Sequence, residues 1–598
     1  MEHRNLNKYL ALAIVPVALI AWGLFGATDL TASSFHAFID YPTPYVDHLA
    51  PGKAGDPLTS QLVIVVADGL RLDASQQMPN VNALRAQGAD RVMRVGQPSL
   101  SLPGWTVIGT GAWQEQHGQT TNFDGHLIPL DTIFLAARRA GLSTALTGDE
   151  SWKTLYGGQV DTMRVEPGPA EPHRDMDGVR RQDDAIEADA LKMLKEDKPN
   201  LLLIHFTAPD NAYHGYGAFS PQAQRAVQDV DARVGRLMQA VDLSQTTIFF
   251  TADHGHIDRG GHGGPEPAVM NVPFIAAGNA IKPGAYGLAM QTDIAPTAAV
   301  LLGTSFPTDN QGDPMFDLLA MPARLNAQRS VDWAQEIATR YDSLARVIGV
   351  GTIDHPELVE ARAALAAGND AAATRAARAE VVATRDRAAS LRGERLLQEQ
   401  LVRTPAALLF LLPIALYIWL MWKMQWDFKL PLIGAAVYFI VYYVLFFGRG
   451  YSFSLSMFNE DSELTAWFAA RTIDALLALL IVAIVVGALS RGGTRYQAAL
   501  NTVNAAFFAA ALLWLQVTFF YWLYGFTWSW FIPDLVLGFK FYLDVLQTGA
   551  FMVKSPPIPT ILLLPLIAIG VQWVANRLPV GRRVAAEKKR TETAMRNS

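Results

Sequence analysis

Apolar runs long enough to cross a bilayer crowd this chain beyond about Pro405, whereas residues 50–320 have the mixed composition of a water-soluble α/β protein. A chain divided in this way has to fold twice. One part must bury apolar strands away from water, and the other must satisfy its backbone hydrogen bonds inside lipid, as a helical bundle does. The expected fold class is therefore α/β, a doubly wound sheet in an external domain, joined to an α-helical multispan membrane domain.

The first apolar run extends from Leu10 to about Thr28 and follows Arg4 and Lys8. It is long for a signal peptide and has no small-x-small cleavage site before Asp29, so residues 1–30 read as an uncleaved anchor. Five more candidate spans follow, at Pro405–Trp422, Leu430–Phe447, Ala466–Leu489, Ala498–Tyr524 and Thr560–Ala575. The connections Lys423–Lys429 and Ser490–Arg495 and the tail Arg577–Arg590 are basic, and Asn459–Glu463 is acidic. Placing the basic connections inside gives six spans, both termini in the cytoplasm and the α/β region outside. The expected location is thus the cell membrane. Residues 530–553 carry Pro533, Asp534, Lys540 and Asp544, and read as an aromatic-rich helix at the outer surface. Arg471 and Asp474 sit one turn apart within a span, suited to an internal ion pair or to a lipid headgroup contact.

These features divide the chain into an anchor (1–30), an external α/β domain (31–322), a helical spacer (323–403), a membrane domain (404–580) and a basic cytoplasmic tail (581–598). The spacer is rich in Ala, Arg and Glu, with helix breaks at Gly349–Thr352 and Gly368–Asn369. A formal net charge of -6 argues against a nucleic-acid partner. With no cysteine in the chain, disulfides and thiolate metal sites are excluded.

Three short apolar runs in the soluble part end in potential metal ligands. Gln61–Ala67 leads into Asp68-Gly69, Asn200–Phe206 precedes Asp210 and His214, and Thr246–Thr251 leads into Asp253-His254. His262 follows in the string GGHGG. Runs of this kind, alternating with helices such as Ala223–Val241, suggest buried parallel strands, whose carboxyl ends are where such sheets bind ligands. Taken singly, Asp-Gly after a strand is most often a turn. Convergence on one sheet edge would instead assemble carboxylates and imidazoles suited to Zn²⁺ or Mn²⁺.

The stretch Pro98–Gly111 supplies a candidate nucleophile. Ser101 lies two residues before Pro103, in the first turn of an expected helix, where free N–H groups favour phosphate. Alternatively, Ser99 and Ser101 serve only as helix caps. Ser99 is the reserve nucleophile.

The set Asp68-Gly69, PSLSLPGW followed by TG, Asp210–His214, TADHG and GGHGG resembles the alkaline phosphatase superfamily. Within it, the resemblance is to the type I phosphodiesterase/nucleotide pyrophosphatase branch and to the GPI ethanolamine phosphate transferases. Gln291–Gly303, followed by Gln311-Gly312, looks like the end of that catalytic domain. The resemblance implies two divalent metal ions. Asp210, His214 and His262 would hold one, and Asp68, Asp253 and His254 the other, with Ser101 between them. It further implies a phospholipid or phosphodiester substrate, with either transfer of a phosphoethanolamine-like group or hydrolysis. Two positions depart from the pattern. The phosphodiesterase branch commonly has Asn after the Pro as an oxyanion donor, where this chain has Gly104. The transferases have Gly followed by His, and this chain has Trp105, which leaves one helper group unassigned. The sulfatase signature requires an Arg that Ser101–Trp105 lacks. A catalytically silent scaffold would have lost ligands, yet all six expected positions are filled.

Overall fold

The structure is a computed structural model. It describes residues 2–45, 49–123, 125–459, 461–550, 554–555 and 558–578. The basic tail expected at 581–598 lies outside the described residues, as do residues 551–553.

Seven strands form the body of one mixed sheet. They are β1 (Gln61–Ala67), β2 (Ala89–Arg94), β3 (Thr144–Asp149), β4 (Thr162–Glu166), β5 (Leu201–Phe206), β6 (Thr246–Thr251) and β7 (Asn271–Gly278). Two-residue strands β8 (Gly284–Ala285) and β9 (Ala289–Met290) pair with β2 at the edge. The order is β4-β3-β5-β1-β6-β7-β2-β8. Strands β4, β3, β5, β1 and β6 are mutually parallel, and β7 runs antiparallel to both β6 and β2. Parallel strands were expected; the reversal comes from β7, whose run NVPFIAAG returns along β6 after the long loop 252–270, which carries Asp253, His254 and His262 and holds one helical turn, Pro267–Met270, in place of a crossover helix.

Strands β1, β5 and β6 are continuous apolar runs because both faces of the sheet are covered, and all but Gln61 of their residues are buried. Val65 stands between Ile204 and Phe250 in register. The three strands that end in candidate ligands are thus direct neighbours, with β1 in the centre. Their shared direction brings the three carboxyl ends to one edge. Strand β2 points the same way, being antiparallel to β7, and delivers the chain to the helix Ser101–Thr110.

The spacer forms helices Ala323–Val347, Pro356–Ala366 and the start of Asp370–Lys423, with breaks where Gly349 and Gly368 adopt positive φ. The last helix runs unbroken through residues 403 and 404 into the membrane domain.

Five helices among the described residues are long and apolar enough to cross a membrane: Asp370–Lys423, Lys429–Gly448, Ala466–Leu489, Arg495–Tyr524 and Thr560–Arg577. They surround an apolar core separate from that of the sheet domain, while Leu408, Leu409, Ile440, Val444 and Leu566 face outward. Apolar side chains on both the inside and the outside are the mark of a lipid-exposed bundle. The expected first span lies in helix Glu2–Ile39, whose apolar part Leu10–Gly23 packs through Leu12 and Ile20 into the bundle core. Helix Leu535–Ala550 covers the segment expected at the surface and packs against Arg495–Tyr524 and Asp461–Leu489. Arg471 and Asp474 pair at 2.8 Å, and Asp474 also accepts from Arg449 at 2.9 Å.

Candidate metal centre

Each candidate ligand reaches the sheet edge by a short local route. Asp68 follows β1 directly, and the chain then turns at Gly69, whose φ of 66 lies in the left-handed region. A Cβ at Gly69 would lie 2.4 Å from Cε1 of His256, so the turn also requires the absence of a side chain. Asp210 and His214 lie on the helix Ala208–Tyr216 that follows β5, and i,i+4 spacing puts both on one face. Asp253 and His254 follow β6 with no intervening residue other than Ala252.

His254 Nε2 is the centre of one group. It lies 3.2 Å from Ser101 Oγ, 3.5 Å from Asp68 Oδ1 and 3.5 Å from Asp253 Oδ2. Asp210 Oδ1 is the centre of a second, 3.5 Å from His214 Nε2 and 3.8 Å from His262 Nε2, with those two nitrogens 3.0 Å apart. The groups adjoin, since the rings of His254 and His262 stack with centroids 3.9 Å apart. All seven residues singled out in the sequence therefore meet in one neighbourhood. The reserve residue Ser99 does not face it. Its hydroxyl donates to the Gly264 carbonyl at 3.0 Å, while its own carbonyl accepts from His262 Nδ1 at 2.9 Å. Neither serine caps the helix, whose N-cap position is Leu100.

Asp253 is fixed from three directions. Oδ1 accepts the Gly69 and His254 amides, each at 3.0 Å, and Oδ2 accepts the indole N–H of Trp105 at 2.8 Å. Trp105 is itself held by stacking on Trp152, with centroids 4.8 Å apart. The residue that departs from the transferase pattern thus orients a candidate ligand.

Burial, reinforced by the charges of Asp253 and Asp210, pushes the Asp68 carboxyl well above the usual range. Burial also pushes Asp210 upward, but His214, His256 and His262 outweigh it and hold that carboxyl well below its ordinary value. Burial lowers His205 to about 4 and takes His262 well below its usual value, the latter with help from neighbouring imidazoles. The neutral imidazole of His262 is the form that can bind a cation.

Several neighbours escaped the sequence reading. His205, inside β5, lies with Nε2 3.1 Å from Asp68 Oδ2. His256, between the two histidines noted in the sequence, lies with Nε2 3.1 Å from Asp210 Oδ1. His173 stacks on His214 with centroids 4.5 Å apart. Asn122 comes in from a distant loop, and its side-chain carbonyl accepts the Leu102 amide at 3.0 Å, beside the nucleophile candidate.

The fit to metal ions can be judged from the donors themselves. Asp68 Oδ1 and Asp210 Oδ1 are buried without a hydrogen-bond partner, a costly state for a carboxylate oxygen that a cation would relieve. Asp68, Asp253 and His254 form one ligand-grade group; Asp210 joins two others, with His254, His256 and His262 and with His173 and His214. The donor chemistry, oxygen and imidazole without thiolate, fits divalent metal binding.

The membrane half contributes directly. A loop between two spans lays Ser456 against the glycine string around His262. The Ser456 hydroxyl accepts from the Gly264 amide at 2.9 Å and donates to the Glu266 carboxylate at 2.7 Å. A Cβ on Gly261 would stand 2.0 Å from the Ser456 carbonyl, so only glycine admits this loop. Asn459 donates to the His214 carbonyl at 2.9 Å.

Residues 62–259 match the family described as type I phosphodiesterase / nucleotide pyrophosphatase. The GPI ethanolamine phosphate transferase 2 catalytic subunit of Homo sapiens is 24% identical over 333 residues, covering 52% of this chain and 33% of its own. Ectonucleotide pyrophosphatase/phosphodiesterase family member 7 of Homo sapiens is 27% identical over 241 residues, covering 35% and 51%. A solved structure of a protein in the alkaline phosphatase superfamily from Vibrio parahaemolyticus is 19% identical, covers 49% of this chain and 78% of that one, and has a TM-score of 0.35. The chain spans about a third of the length of the curated transferase.

Proposed function

Starting from a type I phosphodiesterase-like domain at residues 62–259, we propose that this protein transfers a phosphoethanolamine-like group from a phospholipid to a glycan or lipid acceptor. The observation that carries this reading is the Ser101 hydroxyl, 3.2 Å from His254 and adjoining two groups of buried carboxylates and imidazoles. Its extension to a lipid donor is supported by the membrane loop that bonds to the string around His262. The transferase relative lends further support.

In this reading Asp68, Asp253 and His254 hold one divalent ion, and Asp210, His214 and His262 hold the other. When bound, such ions, Zn²⁺ or Mn²⁺, supply the positive charge that favours the serine alkoxide and the phosphoryl oxygens. The Ser101 oxygen, its proton passed to water, attacks phosphorus in line; the Oγ–P bond forms, and the donor P–O bond breaks as the leaving alkoxide takes a proton from water. The acceptor hydroxyl then attacks phosphorus, loses its proton, and releases Ser101. Asn122, anchored on the Leu102 amide, is the carboxamide available to the phosphoryl group, and takes the helper role left unassigned at Gly104 and Trp105. The helix Ser101–Thr110 points the positive end of its dipole toward this position. The domain lies outside the cytoplasm, with both termini within.

The test is an intact-mass measurement on full-length protein incubated with lipid donor and no acceptor. An adduct on Ser101 with the mass of a headgroup phosphate supports transfer. If Ser101 stays unmodified and the lipids of a deletion strain match those of its parent, the transferase reading is lost. A second reading, a tethered phosphodiesterase, is favoured by the likeness to the ectonucleotide phosphodiesterase. It predicts steady turnover of a soluble diester with water as the sole acceptor.

A further inference from the structure

His256 is fully buried at the centre of the candidate metal site, and none of the roles assigned above uses it. Its Nδ1 lies 3.0 Å from the Gly69 carbonyl, which can only accept, so the ring proton of a neutral imidazole belongs on Nδ1. Nε2 is then a bare lone pair, and it faces Asp210 Oδ1 at 3.1 Å. Both atoms are buried without a hydrogen-bond partner. Two acceptors in that position repel each other unless a cation sits against both.

The pattern repeats at its neighbours. His254 directs Nδ1 to the Gly255 carbonyl at 3.2 Å, and His262 directs Nδ1 to the Ser99 carbonyl at 2.9 Å, each leaving Nε2 for the centre. A backbone carbonyl on the remote nitrogen is the usual support of a metal-bound histidine. His205 differs: its Nδ1 has no partner, so its proton can sit on Nε2 and be donated to Asp68 Oδ2. Of the two unassigned histidines, His256 thus has its proton fixed on the remote nitrogen and His205 is free to orient a carboxylate; His214, whose Nδ1 also lacks a partner, is placed instead by its Nε2, 3.5 Å from Asp210 Oδ1.

We propose that His256 is a fourth protein ligand of the cation held by Asp210, His214 and His262. The inference rests on the reading that this group binds a divalent ion. Three imidazoles and one carboxylate would give this ion one protein ligand more than catalytic zinc ordinarily has, so a substrate oxygen would join as a fifth. The ion at Asp210 is thus the more firmly held of the two, and the ion beside Ser101 exchanges first.

The experiment uses full-length protein stripped of metal in detergent and titrated with Co²⁺, read by visible d–d absorption and by metal analysis after gel filtration. The wild type is expected to bind two ions in two resolved steps. His256→Gln is expected to weaken the tighter step at least tenfold and to change its spectrum, leaving the other step in place. Unchanged affinity and spectrum in His256→Gln would overturn the proposal alone, and no uptake by the wild type would overturn it together with the reading of the site. Should the variant fail to fold, the zinc-loaded wild-type structure decides: a Zn–Nε2 distance of about 2.0–2.1 Å supports ligation. A His256 Nε2 more than about 3 Å from the ion, outside any bonding distance, refutes it.

Discussion

The Ser456 hydroxyl, on a loop between two spans, donates to the Glu266 carboxylate at 2.7 Å, four residues beyond His262. Together with Asn459 on the His214 carbonyl, it makes the membrane domain part of the metal centre's support. Tyr45 adds a further tie, donating to the Trp530 carbonyl at 2.7 Å.

Ser456→Ala removes a partner from the Glu266 carboxylate and the Gly264 amide, at a cost of about 1–3 kcal/mol. Lipid-donor turnover is expected to fall as the loop loosens from the string around His262, by roughly tenfold for each ~1.4 kcal/mol of that support expressed in the transition state. Comparing kcat/KM for a lipid donor with that for a soluble diester checks the assignment. An equal loss on both would mean that the loop supports the metal site without serving the lipid.

Ser101→Ala should abolish covalent labelling and lower kcat by at least about a thousandfold while the protein still binds metal. Ser99→Ala loses one hydrogen bond to the Gly264 carbonyl, worth about 1 kcal/mol, and should retain labelling. Peptide mapping of the labelled protein distinguishes them, and label on Ser99 would reverse the assignment.

Trp105→Phe keeps an aromatic ring against Trp152 but deletes the N–H that Asp253 Oδ2 accepts. Loss of such a supporting bond typically weakens metal affinity by roughly 10- to 100-fold. Competition with a chelator of known affinity measures it, and the metal-free variant should also melt lower, by the cost of about 1–3 kcal/mol for a buried carboxylate oxygen that loses its donor.

Glu336 is buried in the spacer helix Ala323–Val347, and burial, with help from Asp332, raises its carboxyl to about 7. A folded state that holds this proton more tightly than the unfolded chain gains stability below the usual carboxyl range. That gain is lost as pH rises through about 7. Glu336→Gln should therefore melt higher than the wild type at pH 8 and show little advantage at pH 5. The same difference in Tm at both values would exclude titration of Glu336 as the cause.

What could be read from the chain was what local geometry dictates. Asp68 and Asp253-His254 leave their strands directly, and one helical turn joins Asp210 to His214, so strand ends and i,i+4 spacing were enough to collect them. The antiparallel course of β7 left no such trace, because a continuous apolar strand reads the same in either direction. Asn122, His205 and the Ser456 loop acquire their places only through tertiary packing. His205 was hidden inside an otherwise apolar run, and Asn122 on a loop with no periodicity. His256 did carry a signal, standing two residues after His254 in DHGH. Strand logic passed over it because it lies past the strand end, where only the folded loop reveals its direction.

Helix Asp370–Lys423 runs for 54 residues without interruption. At 1.5 Å per residue it is a rod of about 80 Å, of which a bilayer core occupies about 30 Å. The remainder lies along the headpiece, where Arg385 pairs with Asp313 and Arg392 with Glu115, so any tilt of the span carries the headpiece with it. Removing whole turns from that rod would set these ties against the bonds that Ser456 and Asn459 make around His262 and His214, so the helix length and the loop must agree for the reaction centre to stay assembled.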